Sequence, residues 1–214
     1  MFHAAMLRSF QWDGGLWGLP VGGTPQVLIY DRSAFDAAAL TYPDATWTFE
    51  QFENAVRALT QLDSSGIVTR PGFAASGAPA LMLRALLGRG VYSDPPLFTD
   101  PALIDLLTRW SELYRVNYIT HESVPAPLRL GTINDLASSA PEQNTLAAAL
   151  LPGKQAGLTV GGLAVSAGSA NPELAFELAK YLSIHEQAAS RMFYAIPPTG
   201  IRRLLKTRMS AVQD

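Results

Sequence analysis

The sequence contains no cysteine. That excludes a disulfide scaffold, a thiolate metal site and a cysteine nucleophile. Charge is scarce as well. Sixteen Lys and Arg stand against 18 Asp and Glu in 214 residues, a formal net charge of -2. So even a balance offers no electrostatic footprint for nucleic acid or an anionic membrane, and nucleic acid is not expected among the partners. No apolar run approaches the ~18 residues that a membrane-spanning helix needs. Met1 to Phe10 (MFHAAMLRSF) does not read as an export signal, because Arg8 follows the apolar stretch instead of leading it.

What is present is apolar and finely punctuated. Hydrophobic residues make up 48% of the chain, enough to offset chain entropy and exclude a disordered polypeptide. Seventeen glycines and 15 prolines separate short elements, the pattern of an α/β protein. Val27-Leu28-Ile29-Tyr30 is a continuous apolar run, as in a strand buried on both faces. The stretch Val21 to Thr24 reads as a glycine turn before it. Thr48 with Gln51 forms a capping box, and Phe52, Val56 and Leu59 line one helical face behind it. Residues 66–76 hold a short strand. Ala78 to Leu87 reads as a helix closed by Gly88.

Asp100 is an N-cap with Pro101 at the first helical position, and Leu103, Leu106, Leu107, Trp110, Leu113 and Tyr114 are its expected buried face. Residues 121–145 are polar and irregular, which marks a linker with a short helix. GLTVGGLAVSA (157–167) reads as a strand interrupted by Gly161 and Gly162. Asn171 and Pro172 start a helix whose expected apolar face is Leu174, Ala175, Leu178, Ala179 and Leu182. Ser183 and Glu186 suggest a second capping box and a new helix. IPPTG (196–200) and a basic final helix, with Arg202, Arg203, Lys206 and Arg208, end the chain.

Catalytic motifs are wanting. His185-Glu186-Gln187-Ala188-Ala189 lacks the second histidine of a zinc-protease helix, and Glu186 is explained by capping. Gly153-Lys154 lacks the upstream glycine of a phosphate loop. The glycines at 14, 15, 18, 22 and 23 precede a strand instead of following one, unlike a dinucleotide fingerprint. There is no G-x-S-x-G elbow. His3, His121 and His185 have no matching partners, and His121-Glu122 reads as a surface pair. Paired acids for glycoside cleavage have no local signature. No metal or cofactor is expected. Trp17, Trp47 and Trp110 read as core residues, and Trp12 as the least constrained tryptophan.

Three stretches together resemble one family. DGGLWGLPVGGTPQVLIYDRSAFDAAALTYPDATWTFEQFENAVRALT (13–60) resembles the central signature of extracellular solute-binding proteins of the sugar-binding type, with Asp31 where the family has asparagine. GLTVGGLAVSAGSANPELAFELAKYLSIHEQAA (157–189) resembles the second signature. GRGVYSDPPLFTDPALIDLLTRWSEL (88–113) resembles the intervening stretch. The resemblance implies a periplasmic-binding-protein-like (type II) α/β lobe, with a mixed sheet flanked by helices. In the family two such lobes are joined by hinge strands and close on a ligand between them.

This chain is shorter than the family's members and resembles a middle piece. The implied organisation is a hinge-strand and leading segment over 1–20, a second-lobe core over 21–135, a returning first-lobe-like segment over 136–195 and a C-terminal loop and helix over 196–214. The implied function is the solute-binding component of an ABC importer, taking a sugar or oligosaccharide without catalysis. Its partners would be the carbohydrate and the importer's membrane subunits. A surface left by an absent lobe would favour a homodimer. The location would be extracellular or periplasmic, with a membrane anchor in the full-length protein.

The ligand-contacting positions that the resemblance transfers are Gly22, Gly23, Thr24 and Gln26, then Ser76, Gly77 and Ala78, then Gly161 and Gly162. Turn chemistry, an N-cap and a strand bulge are their structural alternatives. The aromatic expected near Ser76 is missing, as is the tryptophan-bearing motif within 121–157. Two other readings stay open: an interaction module that has lost its cleft, and a glycoside-type hydrolase using two acids.

Overall fold

The structure, a computed structural model, describes residues 4–88, 98–137, 145–154 and 156–184. In chain order its first elements are α1 (Ala4–Arg8), β1 (Gln11–Trp12), β2 (Gly15–Leu16), β3 (Leu19–Asp31), α2 (Arg32–Ala37) and α3 (Phe49–Leu59). Then come β4 (Gln61–Leu62), β5 (Val68–Arg70), β6 (Phe73–Ala74), α4 (Pro79–Leu87) and α5 (Pro101–Arg115). The last are β7 (Ile119–Thr120), β8 (Leu128–Thr132), α6 (Ile133–Ala137), β9 (Leu146–Ala149), β10 (Gly157–Leu163) and α7 (Pro172–Ile184). They form two compact units, one over Pro25–Gly157 and one made of the described residues up to Thr24 with those from Leu158 onward.

In the 25–157 unit the strand order is β3-β8-β6-β7, and β9 pairs with β3. β3 is antiparallel to β8 and β9, whereas β6 is parallel to both β7 and β8. This is the mixed sheet flanked by helices that the sequence implies. The run Val27 to Tyr30 is buried at every position, as expected for a strand covered on both faces.

The core follows from the capped helices. Thr48 and Gln51 exchange the two hydrogen bonds of a capping box, which starts α3 with Phe52, Val56 and Leu59 turned inward. Phe52 stacks parallel to Trp110 at 5.9 Å and meets Phe73 edge-on at 5.0 Å. Trp47 is buried against Phe35. Asp100 caps α5 by accepting from the Ala102 N–H, and Gly88 closes α4 at φ +75°. Gly72 is required by a close approach: a Cβ there would lie 2.1 Å from the Val56 carbonyl oxygen.

One charged cluster ties α3 to α5. Glu53 accepts from Arg57 one turn on and from Arg109 on α5. Burial works to raise the Glu53 carboxyl's pKa, but the two guanidiniums outweigh it and hold the group below the usual carboxylate range. Arg109 also lies over the Phe49 ring, 4.4 Å from its centroid.

In the other unit β10 pairs with β3, and β1 pairs with β2. Gly162 backs onto Phe10, whose Cζ would stand 2.3 Å from an added Cβ.

Several expectations need correction. Val21 to Thr24 is not a turn; β3 runs straight through it, and neither Gly22 nor Gly23 has a positive φ. Gly161 and Gly162 likewise lie inside one continuous strand, β10. The linker expected over 121–145 contains β8, which sits between β3 and β6; its short apolar alternation, Leu128 and Leu130, is hidden by the surrounding prolines and polar residues. On α5, Leu107 and Tyr114 are exposed, because the buried stripe is the narrower set Leu103, Leu106, Trp110 and Leu113. On α7, Leu174 and Leu178 are exposed; the helix buries the small residues Ala179 and Ser183 instead. Ser183 is no cap, since it lies within α7 and its hydroxyl donates to the Ala179 carbonyl. Trp17 is 67% exposed, its indole N–H held by the Trp12 carbonyl on the surface. His3, His185, Glu186 and the segment 196–214 lie outside the described residues.

Candidate functional site

Three parallel strands, β6, β7 and β8, release their chains at one edge of the sheet. In open α/β sheets that carboxyl edge is where ligands collect. Here it borders a cavity of about 580 Å³. Ser76 and Ala78 line it from the loop after β6, Ser123 to Pro125 from the loop after β7, and Arg129 to Thr132 from β8 itself. Gln26 on β3 lines it opposite Thr132, its cross-strand partner. Asp135 on α6 completes the wall.

The loop after β6 is shaped by two left-handed residues, Ser76 at φ +49° and Gly77 at φ +78°. The glycine takes that geometry without cost; the serine is strained by it. Backbone hydrogen bonds hold the turn: Ala75 N–H donates to the Thr120 carbonyl at 2.8 Å and Gly77 N–H to the His121 carbonyl at 2.7 Å. His121 in turn is half-buried and anchored on α5. Its Nε2 accepts from the Trp110 indole N–H at 3.2 Å, and its ring stacks on Tyr114 at 4.5 Å. The expected His121-Glu122 surface pair is thus replaced by a ring stack that carries the cavity's loop.

The far wall depends on Gly131. A Cβ there would lie 2.5 Å from Ile29 Cδ1 and 2.8 Å from Asp135 Oδ2. The glycine lets Asp135 close down, where its Oδ2 accepts from the Thr132 N–H at 2.6 Å and the Thr132 hydroxyl at 3.1 Å. Arg129 shares the Gly131 face of β8, two residues apart. It makes no ion pair with a described residue.

Of the positions singled out in the sequence, Gln26, Ser76 and Ala78 therefore meet at one cavity, with Gly77 between two of them in the chain. Gly22, Gly23, Thr24, Gly161 and Gly162 belong to the other unit. There Gly23 faces the Leu158 side chain and Gly162 faces Phe10. Sequence reasoning missed Arg129, Thr132 and Asp135. The signal was present as a Thr-x-x-Asp capping spacing behind Leu128 and Leu130. A second, smaller cavity of about 230 Å³ lies in that other unit and is apolar, lined by Leu16, Trp17, Leu163, Val165 and Phe176 among others.

Comparison with known proteins gives this geometry a context. The family model of the bacterial extracellular solute-binding proteins matches residues 3–189. No curated protein sequence matches the chain. Among solved structures, an ABC substrate-binding protein from Listeria monocytogenes in complex with cycloalternan superposes with a TM-score of 0.67 at 20% identity, covering 87% of this chain and 53% of its own. CpMnBP1 with mannotriose bound gives 0.66 at 17%, covering 88% and 56%. A solute-binding protein from Agrobacterium radiobacter K84 in complex with ribitol gives 0.64 at 20%, covering 87% and 53%. At these identities the likeness establishes the fold, and the chain spans about half the length of these proteins. With the match extending over most of its length, the chain belongs to the bacterial extracellular solute-binding protein family.

Proposed function

We propose that the cavity at the carboxyl edge of β6, β7 and β8 is the solute-contacting wall of a binding protein that serves an ABC importer. One observation carries this. Gln26 on β3 and the pair Ser76 and Ala78 in the loop after β6, which the family resemblance nominates as ligand contacts, line the same cavity. Its walls offer hydroxyls, an amide and a guanidinium, groups that replace water around a polyhydroxylated solute. The solute class is a sugar, oligosaccharide or polyol, as bound by the structural relatives. Binding proceeds without catalysis. Gly22, Gly23, Thr24, Gly77, Gly161 and Gly162 enter this reading as ligand contacts on the resemblance alone. So do the importer's membrane subunits as partners, an extracellular or periplasmic location, and anchoring of the full-length protein.

The test is calorimetry of the whole gene product against mono- and oligosaccharides and polyols. Saturable heat with at least one of them is expected. No heat with any would remove the solute class.

A second reading, an interaction module, has one observation in its favour. Leu174, Leu178 and Tyr181 recur at helical spacing on α7 and are all exposed. Exposed apolar stripes of this kind drive association. Under that reading light scattering shows a homodimer; a monodisperse monomer contradicts it.

A further inference from the structure

The composition of the cavity's walls bears on the kind of solute, an inference that rests on the solute-binding reading above. Among the described residues none of the lining side chains is aromatic. This part of the wall offers no flat apolar face for a sugar ring to stack on. The wall holds one cation instead. Arg129 lines the cavity, partly buried, and makes no ion pair with a described residue; of the unit's arginines it is the one that lines this cavity. When a solute displaces water from a guanidinium, its donors need acceptors, and a carboxylate or phosphate supplies them in a bidentate fork.

The one acid among the described lining residues, Asp135, has its Oδ2 engaged by the amide and hydroxyl of Thr132. A second feature favours negative charge in the same place. Ala78, at the N-terminus of the nine-residue helix α4, lines the cavity and provides no side-chain cap. The positive end of the α4 dipole thus begins at the cavity wall, although Pro79 has no N–H and the Leu81 N–H is taken by the Ala78 carbonyl.

We propose that the solute carries an acidic group, a carboxylate or a phosphate, and that Arg129 binds it. The solute is then a sugar acid or a sugar phosphate rather than a neutral sugar.

The experiment titrates the whole gene product with matched pairs in a calorimeter: glucose against glucuronate, and glucose against glucose 6-phosphate. Arg129→Gln and Arg129→Lys are titrated beside it, with thermal melts as a control on folding. One acidic member is expected to bind at least about tenfold tighter than its neutral parent, the worth of one charge-assisted contact. Which arm responds separates carboxylate from phosphate. Arg129→Gln abolishes the preference, and Arg129→Lys retains part of it together with its salt dependence. Where the glutamine variant does not fold, the lysine variant's loss of bidentate preference decides.

Equal or tighter binding of the neutral member overturns this proposal and leaves the solute-binding reading standing. A preference for the acid that Arg129→Gln does not alter overturns the assignment to Arg129. No binding by any member of the panel, with neutral oligosaccharides and polyols also silent, overturns both.

Discussion

Gly131 shows how much of the cavity rests on one missing methyl group. Ile29 and Asp135 both crowd the space a Cβ would take. Gly131→Ala therefore destabilises the protein by about 1–3 kcal/mol through overpacking. It also loosens the Asp135–Thr132 hydrogen bonds. Urea denaturation measures the first effect, and weakened solute binding in calorimetry the second. Glu53 is the other residue with a sharp expectation. Its folded pKa is held below the unfolded value, so its stabilising contribution is complete above the unfolded pKa and is lost as pH falls through the folded one. Glu53→Gln should cost about 1.5–3 kcal/mol at neutral pH, the range for hydrogen bonds to charged groups. The variant's stability should also fall less steeply on acidification. Parallel acid limbs in denaturation curves of the two proteins would contradict this account.

At the level of elements several caps were legible in the sequence, although Ser183 was not one of them. Thr48 with Gln51, Asp100 with Pro101, and Gly88 each announce a helix end in sequence, and each does that work in the structure. Thr48→Ala should accordingly cost about 1 kcal/mol by thermal melting. Strands were harder. Glycine pairs at Gly22-Gly23 and Gly161-Gly162 read as breaks, yet neighbouring strands hold both pairs extended, a tertiary effect that turn propensity does not encode. β8 was lost for the same reason: five residues directly behind Pro125 and Pro127 carry little periodicity, but the sheet seats them between β3 and β6. With β8 went Arg129, Thr132 and Asp135. Half of the cavity thus escaped the sequence while the half built by Gln26 and the Ser76 loop did not. His121 escaped because its role depends on Trp110 and Tyr114, which meet it only after α5 has packed.

At the scale of the whole molecule, membership in the solute-binding family and the fold agree with the ordered signatures at 13–60 and 157–189. The exposed Trp17, with Leu174 and Leu178 on α7, marks surface that the sequence reading took for core. Solute is expected to contact the wall formed by Gln26, the Ser76–Ala78 loop and Arg129 to Thr132. Hydrogen exchange of the whole gene product, with and without the solute identified by calorimetry, tests it most directly. Slower exchange at the amides of 76–78, 123–124 and 129–132 on addition of solute is the predicted result. Unchanged exchange in all three segments, with protection confined to the apolar cavity around Trp17 and Phe176, would contradict it.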